Sequence, residues 1–309
     1  MKNSITEEMR YRQRLCEYAL KNGVTKAARR YHTNRQFVYR QLEKYDGNVR
    51  SLELKSRRPN SHPSSHTQEE LQLIKKMVKR NGKYGLAEVF VRCKSKGYAR
   101  SFGSMCRNIR KEGIIKPTKH KKSYTKYNRL DGEYPGHKVQ VDIKYVPIEC
   151  VKFQTYGKRY YQITAIDEYS RKRVLKIVDE KSTYETSKFL MELPKKMGFP
   201  IEIVQVDNGY EFVNDPEKTG RKSAFEKVAL HLNMIIRRTR PYSPWQNGKV
   251  ERSHREDGKI IYNRETFYSL KELKERIRKH EARYNKTAKQ VLKFKNPNQM
   301  ISEYFSQVA

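Results

Sequence analysis

Three carboxylates far apart in the chain could do chemistry together: Asp142 in HKVQVDIKYV, Asp207 in PIEIVQVDNGYEF and Glu251 in SPWQNGKVERSHRE. Carboxylates gathered in one pocket repel one another unless divalent cations neutralise them, and an all-oxygen donor set suits Mg2+ or Mn2+. The chemistry expected of such a cage holding two ions is phosphoryl transfer.

Three elements must converge to build that cage. In HKVQVDIKYV, Val139, Val141, Ile143 and Tyr145 alternate with Lys138, Gln140, Asp142 and Lys144, so Asp142 is expected mid-strand on the polar face. KRYYQITAID and RKRVLKIV read as two antiparallel strands, with Asp167 as a turn residue between them, and Ser182 with Glu185 caps a helix to about residue 196. An apolar strand over 201–206 runs into Asp207-Asn208-Gly209, and LNMIIRRT supplies a later strand. Strands on either side of a helix imply a mixed sheet of five strands. Ser243-Pro-Trp-Gln246 has the form of a capping box with proline at the first helical position. The helix expected there puts Asn247, His254 and Arg255 beside Glu251.

Charge points to the partner. The chain of 309 residues carries 68 Lys and Arg against 34 Asp and Glu, a net +34, with 22 Tyr and 11 Phe. Residues 1–130 hold 33 basic and 10 acidic residues, so the front is the more basic part. That is a folded protein whose partner is a polyanion, double-stranded DNA first. No apolar run approaches the roughly 20 residues of a spanning helix and MKNSITEEMRYRQ is no signal peptide, so a soluble, cytoplasmic protein with no membrane partner is expected. Cys16, Cys93, Cys106 and Cys150 show no zinc-ligand spacing with each other or with histidine, and read as reduced thiols.

Residues 1–47 read as helix, turn, helix, with Ala27 and Ala28 allowing close contact and Thr33 with Gln36 as capping box. The second helix would present Asn34, Arg35, Gln36, Tyr39 and Arg40 to a major groove. Residues 48–66 read as linker and 67–115 as a second helical DNA-binding unit started by Thr67 with Glu70 and later by Ser101. A basic linker, 116–136, carries Lys119, Lys121 and Lys122 among tyrosines, a composition that tracks phosphates. The catalytic core is expected over 137–262 and a helical extension over 263–309.

The ordered blocks VQVDIKYV, TAIDEYSR, VDNGYEF and SPWQNGKVERSHR resemble the catalytic blocks of bacterial insertion-sequence transposases of the retroviral-integrase-like DDE superfamily. The resemblance covers 137–262 closely and the front and tail more loosely. It implies a multidomain chain, with α-helical helix-turn-helix units ahead of an α/β ribonuclease H-like core. It further implies Asp142, Asp207 and Glu251 as the catalytic, metal-binding triad for two Mg2+ or Mn2+ ions. The activity implied is binding of the element's terminal repeats, then metal-dependent strand cleavage and transfer into target DNA. A bacterial, nucleoid-associated protein that forms a homo-oligomer on DNA is expected.

Along the Glu251 helix, Asn247, Lys249, Arg252 and Arg255 are the candidate DNA contacts, and Trp245 is expected to seat the helix start. His254 reads as a satisfied histidine, and Glu211 as support for the Asp207 turn. Two departures from the family pattern stand out: 43 residues separate Asp207 from Glu251, with the extra length assigned to NDPEKTGRKS. Gly258 also stands where many relatives carry a basic residue, a charge that Arg255 or Lys259 could supply. A DNA-binding protein that keeps the catalytic fold as a scaffold, and a metal-dependent nuclease without joining activity, are the alternatives.

Overall fold

The computed structural model describes residues 5–54, 59, 62–115, 132–214, 220–240 and 243–308. Lys119, Lys121 and Lys122, and part of NDPEKTGRKS, lie outside the described residues. The chain divides into two compact units, Met1–Ser65 and His66–Ala309.

The first unit is built from α1 (Glu7–Asn22), α2 (Val24–Arg30) and α3 (Arg35–Leu42). Thr6 caps α1 by accepting from Met9 N. Leu15, Ala19, Ala27, Ala28 and Val38 close the core, the alanines letting the backbones approach. The α3 cap is Asn34, not Thr33: Asn34 Oδ1 accepts from Phe37 N at 2.7 Å, because the residue with extended backbone just before the first turn is the one placed to reach it. Asn34 is thereby a capping residue, while Arg35, Gln36, Tyr39 and Arg40 are exposed. Residues 49–52, in the stretch expected as linker, form a 3-10 turn with Leu52 buried.

The second unit begins with α4 (Gln68–Asn81), α5 (Leu86–Lys94) and α6 (Phe102–Lys111). Thr67 and Glu70 form the expected capping box, and Ser101 caps α6. Ile74, Met77, Val89, Cys93, Met105 and Ile109 make their core.

A mixed five-stranded sheet follows, of strands β1 (Lys138–Tyr145), β2 (Tyr161–Asp167), β3 (Arg173–Val178), β4 (Ile203–Val206) and β5 (Ile235–Arg238), in the order β3-β2-β1-β4-β5. The first three are antiparallel neighbours, whereas β4 and β5 run parallel to β1. This is the ribonuclease H-like arrangement. One face packs on α7 (Thr183–Met197), started by Ser182, and α8 (Ala224–His231), through Phe189, Leu193 and Phe225. The other is covered by α9 (Gly248–Asp257), a π turn over Gly258–Tyr262 and α10 (Leu270–Asn285), so the cover of the sheet reaches past residue 262. A last helix, α11, spans Pro297–Val308.

Two expectations for these strands change. Tyr145, placed with the apolar face of β1, is 56% exposed and packs its ring against Tyr161 at the strand's end. The polar face of β1 is not open to solvent, since Gln140 is buried under α9. Asp167 is a turn residue as expected: its carboxylate accepts from Ser170 N and Gly136 N. Gly136, at φ +87°, has no room for a side chain, since a Cβ there would stand 2.0 Å from the Pro200 carbonyl oxygen. Among the described residues no helix is long and apolar enough to cross a membrane. All four cysteines are unpaired and buried.

Candidate active site

The parallel pairing of β1 with β4 sets Gln140 level with Gln205. Each glutamine is followed two residues later by an aspartate, Asp142 and Asp207, and residues two apart on a strand share a face. The two aspartates therefore lie two residues past that paired position, Asp142 in the middle of β1 and Asp207 just beyond the end of β4. Asp142 Oδ1 accepts from Ile143 N at 2.8 Å, and Asp207 Oδ1 from Gly209 N at 3.0 Å. The turn after Asp207 is crowded, since a Cβ on Gly209 would meet the Glu211 carboxylate at 2.5 Å and that side chain would have to shift. Asn208 ties that turn to the end of β5 by donating to the Thr239 carbonyl.

The third carboxylate arrives on α9, and the two glutamines hold its start. Gln140 Nε2 and Gln205 Nε2 both donate to the Gln246 carbonyl, at 3.0 and 2.9 Å. Gln140 Oε1 accepts from Lys249 N and Val250 N, two of the amide groups that a helix start leaves unpaired. Gln205 Nε2 also donates to Asn247 Oδ1 at 2.9 Å. The anchoring thus ends one residue before Glu251, on the side of the sheet that carries both aspartates.

The electrostatics are those of crowded acids. Burial pushes the Asp142 carboxyl up to about 7, helped by the charges of Asp207, Glu251 and Glu211. Burial and Glu211 also raise Asp207. Glu211 is paired with Lys181 at 2.7 Å. His254 is no bystander: its Nδ1 lies 3.4 Å from Asp142 Oδ2, and its Nε2 has no hydrogen-bond partner. Burial and Lys144 pull the His254 imidazole down to about 3, so it faces Asp142 uncharged.

An all-oxygen set of half-buried carboxylates, in which Asp142 and Asp207 are raised by burial and neighbouring acids, is the donor chemistry that a hard divalent cation relieves, and in that respect Asp142, Asp207 and Glu251 fit Mg2+ or Mn2+. Among the described residues no three His, Cys, Asp or Glu side chains are close enough to form a ready-made cage.

Two of the four expected DNA contacts on this helix are turned inward instead. Asn247 is buried and spent on Gln205. Lys249 is 8% exposed and its ammonium pairs with buried Glu168 at 2.8 Å, because its side chain points into the sheet rather than to solvent. Arg252 and Arg255 do face solvent. The expected capping box at Ser243 and Gln246 does not form: Gln246 Oε1 accepts from Arg240 N, and Pro244–Asn247 is a 3-10 turn before α9 proper. Trp245 is 46% exposed.

Beneath the site lies a charged cluster that sequence reading missed. Asp257 is fully buried and accepts from Arg173 Nη1 at 2.7 Å, Gln162 Nε2 at 2.8 Å and His280 Nε2 at 2.9 Å, with Lys144 Nζ at 3.4 Å. Lys144 Nζ also donates to the His254 carbonyl, linking this cluster to α9. Its members come from β1, β2, β3, α9 and α10, so no local spacing marks them. The glutamines could have been found: VQVD stands at both 139–142 and 204–207.

Two family models, each described as an integrase core domain, match residues 132–244 and 232–288, together half of the chain. A relative named "Putative integrase ORF3", from Spiroplasma virus SpV1-C74, is 28% identical over 156 residues, 48% of this chain and 42% of that protein. The chain thus spans less than half the length of this curated relative. Among solved structures, a chain of the simian T-cell lymphotropic virus intasome in complex with PP2A regulatory subunit B56 gamma aligns at 16% identity and a TM-score of 0.34, over 59% of this chain and 57% of that one. A likeness that loose carries no functional weight.

Proposed function

Through residues 132–288 the chain belongs to the integrases and transposases of the DDE superfamily, and from that premise we propose that it is a DNA transposase. In this reading it binds the ends of its element and joins them to target DNA, with Asp142, Asp207 and Glu251 as its catalytic carboxylates. The observation that carries the reading is the pairing of Gln140 with Gln205, each two residues before an aspartate, with the Glu251 helix pinned beside them by both glutamines.

Two Mg2+ or Mn2+ ions held by the triad would activate water or a 3′-hydroxyl and stabilise the leaving oxygen in phosphoryl transfer. The protein's own part is positional. Ile143 N and Gly209 N fix one oxygen of each aspartate, and His254 limits the swing of the other Asp142 oxygen. Lys181 holds Glu211 aside as the partner of a cation already present. The first unit supplies end recognition through the exposed Arg35, Gln36, Tyr39 and Arg40, with Asn34 shaping the start of their helix. A DNA substrate also accounts for the net charge of +34.

The test is a strand-transfer assay with labelled element ends, target plasmid and Mg2+. Glu251→Gln, Asp142→Asn and Asp207→Asn should each abolish cleavage and joining while end binding persists. The losses should not add, because the three work as one unit. If Glu251→Gln stays active while Glu211→Gln does not, the third carboxylate is Glu211 and the reading of α9 is wrong.

A further inference from the structure

The second unit holds a cleft of about 2290 Å³ between the helices of residues 66–115 and the cover of the sheet. One wall is α6, which turns Arg107 and Arg110 into it; the other is α9 and its continuation, with Arg252, Arg255, Lys259 and Arg264. All six are exposed. The single acid on the lining, Glu256, stands 3.9 Å from Arg252.

The walls are fastened to each other. Glu88 of α5, 2% exposed, accepts from Arg283 Nη2 and from Ala288 N, each at 2.9 Å. Phe90, Phe102 and Phe294 pack as a trio with ring centroids 5.0 to 5.4 Å apart. The cleft is therefore preformed, and its cations converge without a conformational change.

We propose that this cleft seats the phosphodiester backbone of DNA independently of sequence, and that α6 holds phosphates rather than reading bases. The inference rests on the DNA reading above and assigns a role to a wall outside the integrase core. Three observations favour it. A reading helix presents side chains from its first turn, but the first turn of α6 carries Phe102, packed into the aromatic trio, and Gly103. The cations of α6 stand farther along, three residues apart, on one face. The cleft also sets six exposed cations, Arg107, Arg110, Arg252, Arg255, Lys259 and Arg264, against the single acid Glu256. A polyanion is the ligand that relieves such a field.

The experiment measures binding of the full chain to labelled duplexes, one of random sequence and one carrying the element end, by fluorescence anisotropy between 50 and 200 mM salt. The double variant Arg107→Ala/Arg110→Ala should weaken both duplexes by the same factor. It should also flatten the slope of log affinity against log salt by roughly 2, about 0.9 for each lost phosphate contact. The double variant Lys79→Ala/Arg80→Ala removes the same charge from exposed positions outside the cleft and should leave the slope unchanged. Equal losses in the two doubles would overturn the cleft, since bulk charge would then explain the binding. A greater loss on the element end than on random duplex would mean that α6 reads sequence. Loss of binding to RNA or polyglutamate with duplex binding intact would give the cleft to another polyanion. If the cleft double binds like the unaltered protein while Arg35→Ala/Arg40→Ala abolishes end binding, this inference falls and the DNA reading stands. If the unaltered protein binds no duplex, the proposed function falls with it.

Discussion

Gln140 and Gln205 donate their side-chain amides to the same acceptor, the main-chain carbonyl of Gln246, from adjacent parallel strands. The consequence is geometric. Each glutamine precedes by two residues an aspartate on its own face, so whatever fixes the glutamines to α9 fixes Glu251 relative to both aspartates.

This relationship predicts an effect on activity from residues that touch no substrate. Gln205→Leu leaves the Gln246 carbonyl and Asn247 Oδ1 short of a donor in a buried place, at a cost of about 1–3 kcal/mol. Gln140→Glu should be worse, because the new carboxylate would face Glu168, which Gln140 Nε2 now contacts at 2.6 Å. Chemical denaturation gives the stability change. Strand transfer should fall by more than the unfolded fraction explains, and a variant with wild-type transfer would show that Glu251 is held some other way.

Lys249 and Arg252, near neighbours on α9, should separate cleanly. Lys249→Ala strands the carboxylate of Glu168, 3% exposed, although Lys138 at 3.1 Å and Gln140 remain. A loss of about 3 kcal/mol, toward the lower bound for a broken buried pair, is expected. Arg252→Ala, 75% exposed at its side chain, should leave the melting temperature unchanged and weaken DNA binding. Calorimetry and anisotropy on the two variants check this; equal stability of both would mean that Lys249 is not needed where it is.

How far the sequence foretold these assignments depends on which interactions were local. Caps at Thr67, Ser101 and Ser182 follow from a hydroxyl and its neighbours in the next turn, and all three form. The strand around Asp142 follows from alternation and the one before Asp207 from an apolar run, though it starts at Ile203 rather than residue 201, and the mixed sheet follows from their order. Asn247 and Lys249 misled because a helix beside an acidic site looks equally polar on the side facing the sheet. Only the partners, Gln205 and Glu168, show that these polar groups are satisfied inside. At Ser243 the capping pattern lost to a competing bond, Gln246 to Arg240 N. His254 could not be placed against Asp142 without the packing of α9 on β1.

The Asp257 cluster should dominate acid stability. Burial alone would raise this carboxyl, but Arg173, then His280, Lys144 and Gln162, hold it well below the usual range. An acid depressed in the folded state stabilises the fold above its unfolded value, here 3.8, and that contribution disappears as pH falls below it. Asp257→Asn should cost about 3–5 kcal/mol at pH 7, since it leaves Arg173 buried without its counter-charge. The difference from wild type should shrink as pH falls below about 4, followed by denaturant unfolding.

Asp142 should behave in the opposite sense, and its test needs no DNA. Its carboxyl is raised to about 7 in the fold from 3.8, chiefly by burial and then by Asp207. Between those two values the unfolded chain has released a proton that the folded protein keeps. Stability without metal therefore falls as pH rises through this range and stays low above it. Asp142→Asn removes that penalty, so in EDTA at pH 8 it should be more stable than wild type by roughly 2–3 kcal/mol, well under the roughly 4 kcal/mol of the full shift because the side chain is 21% exposed. At pH 4 the two proteins should melt together. Adding Mg2+ at pH 8 should stabilise the wild type and not the variant, which would tie the penalty to the carboxylate proposed as a cation ligand. A variant no more stable than wild type at pH 8 would mean that Asp142 sits there as a comfortable anion, and that the crowding of acids inferred for this site is absent.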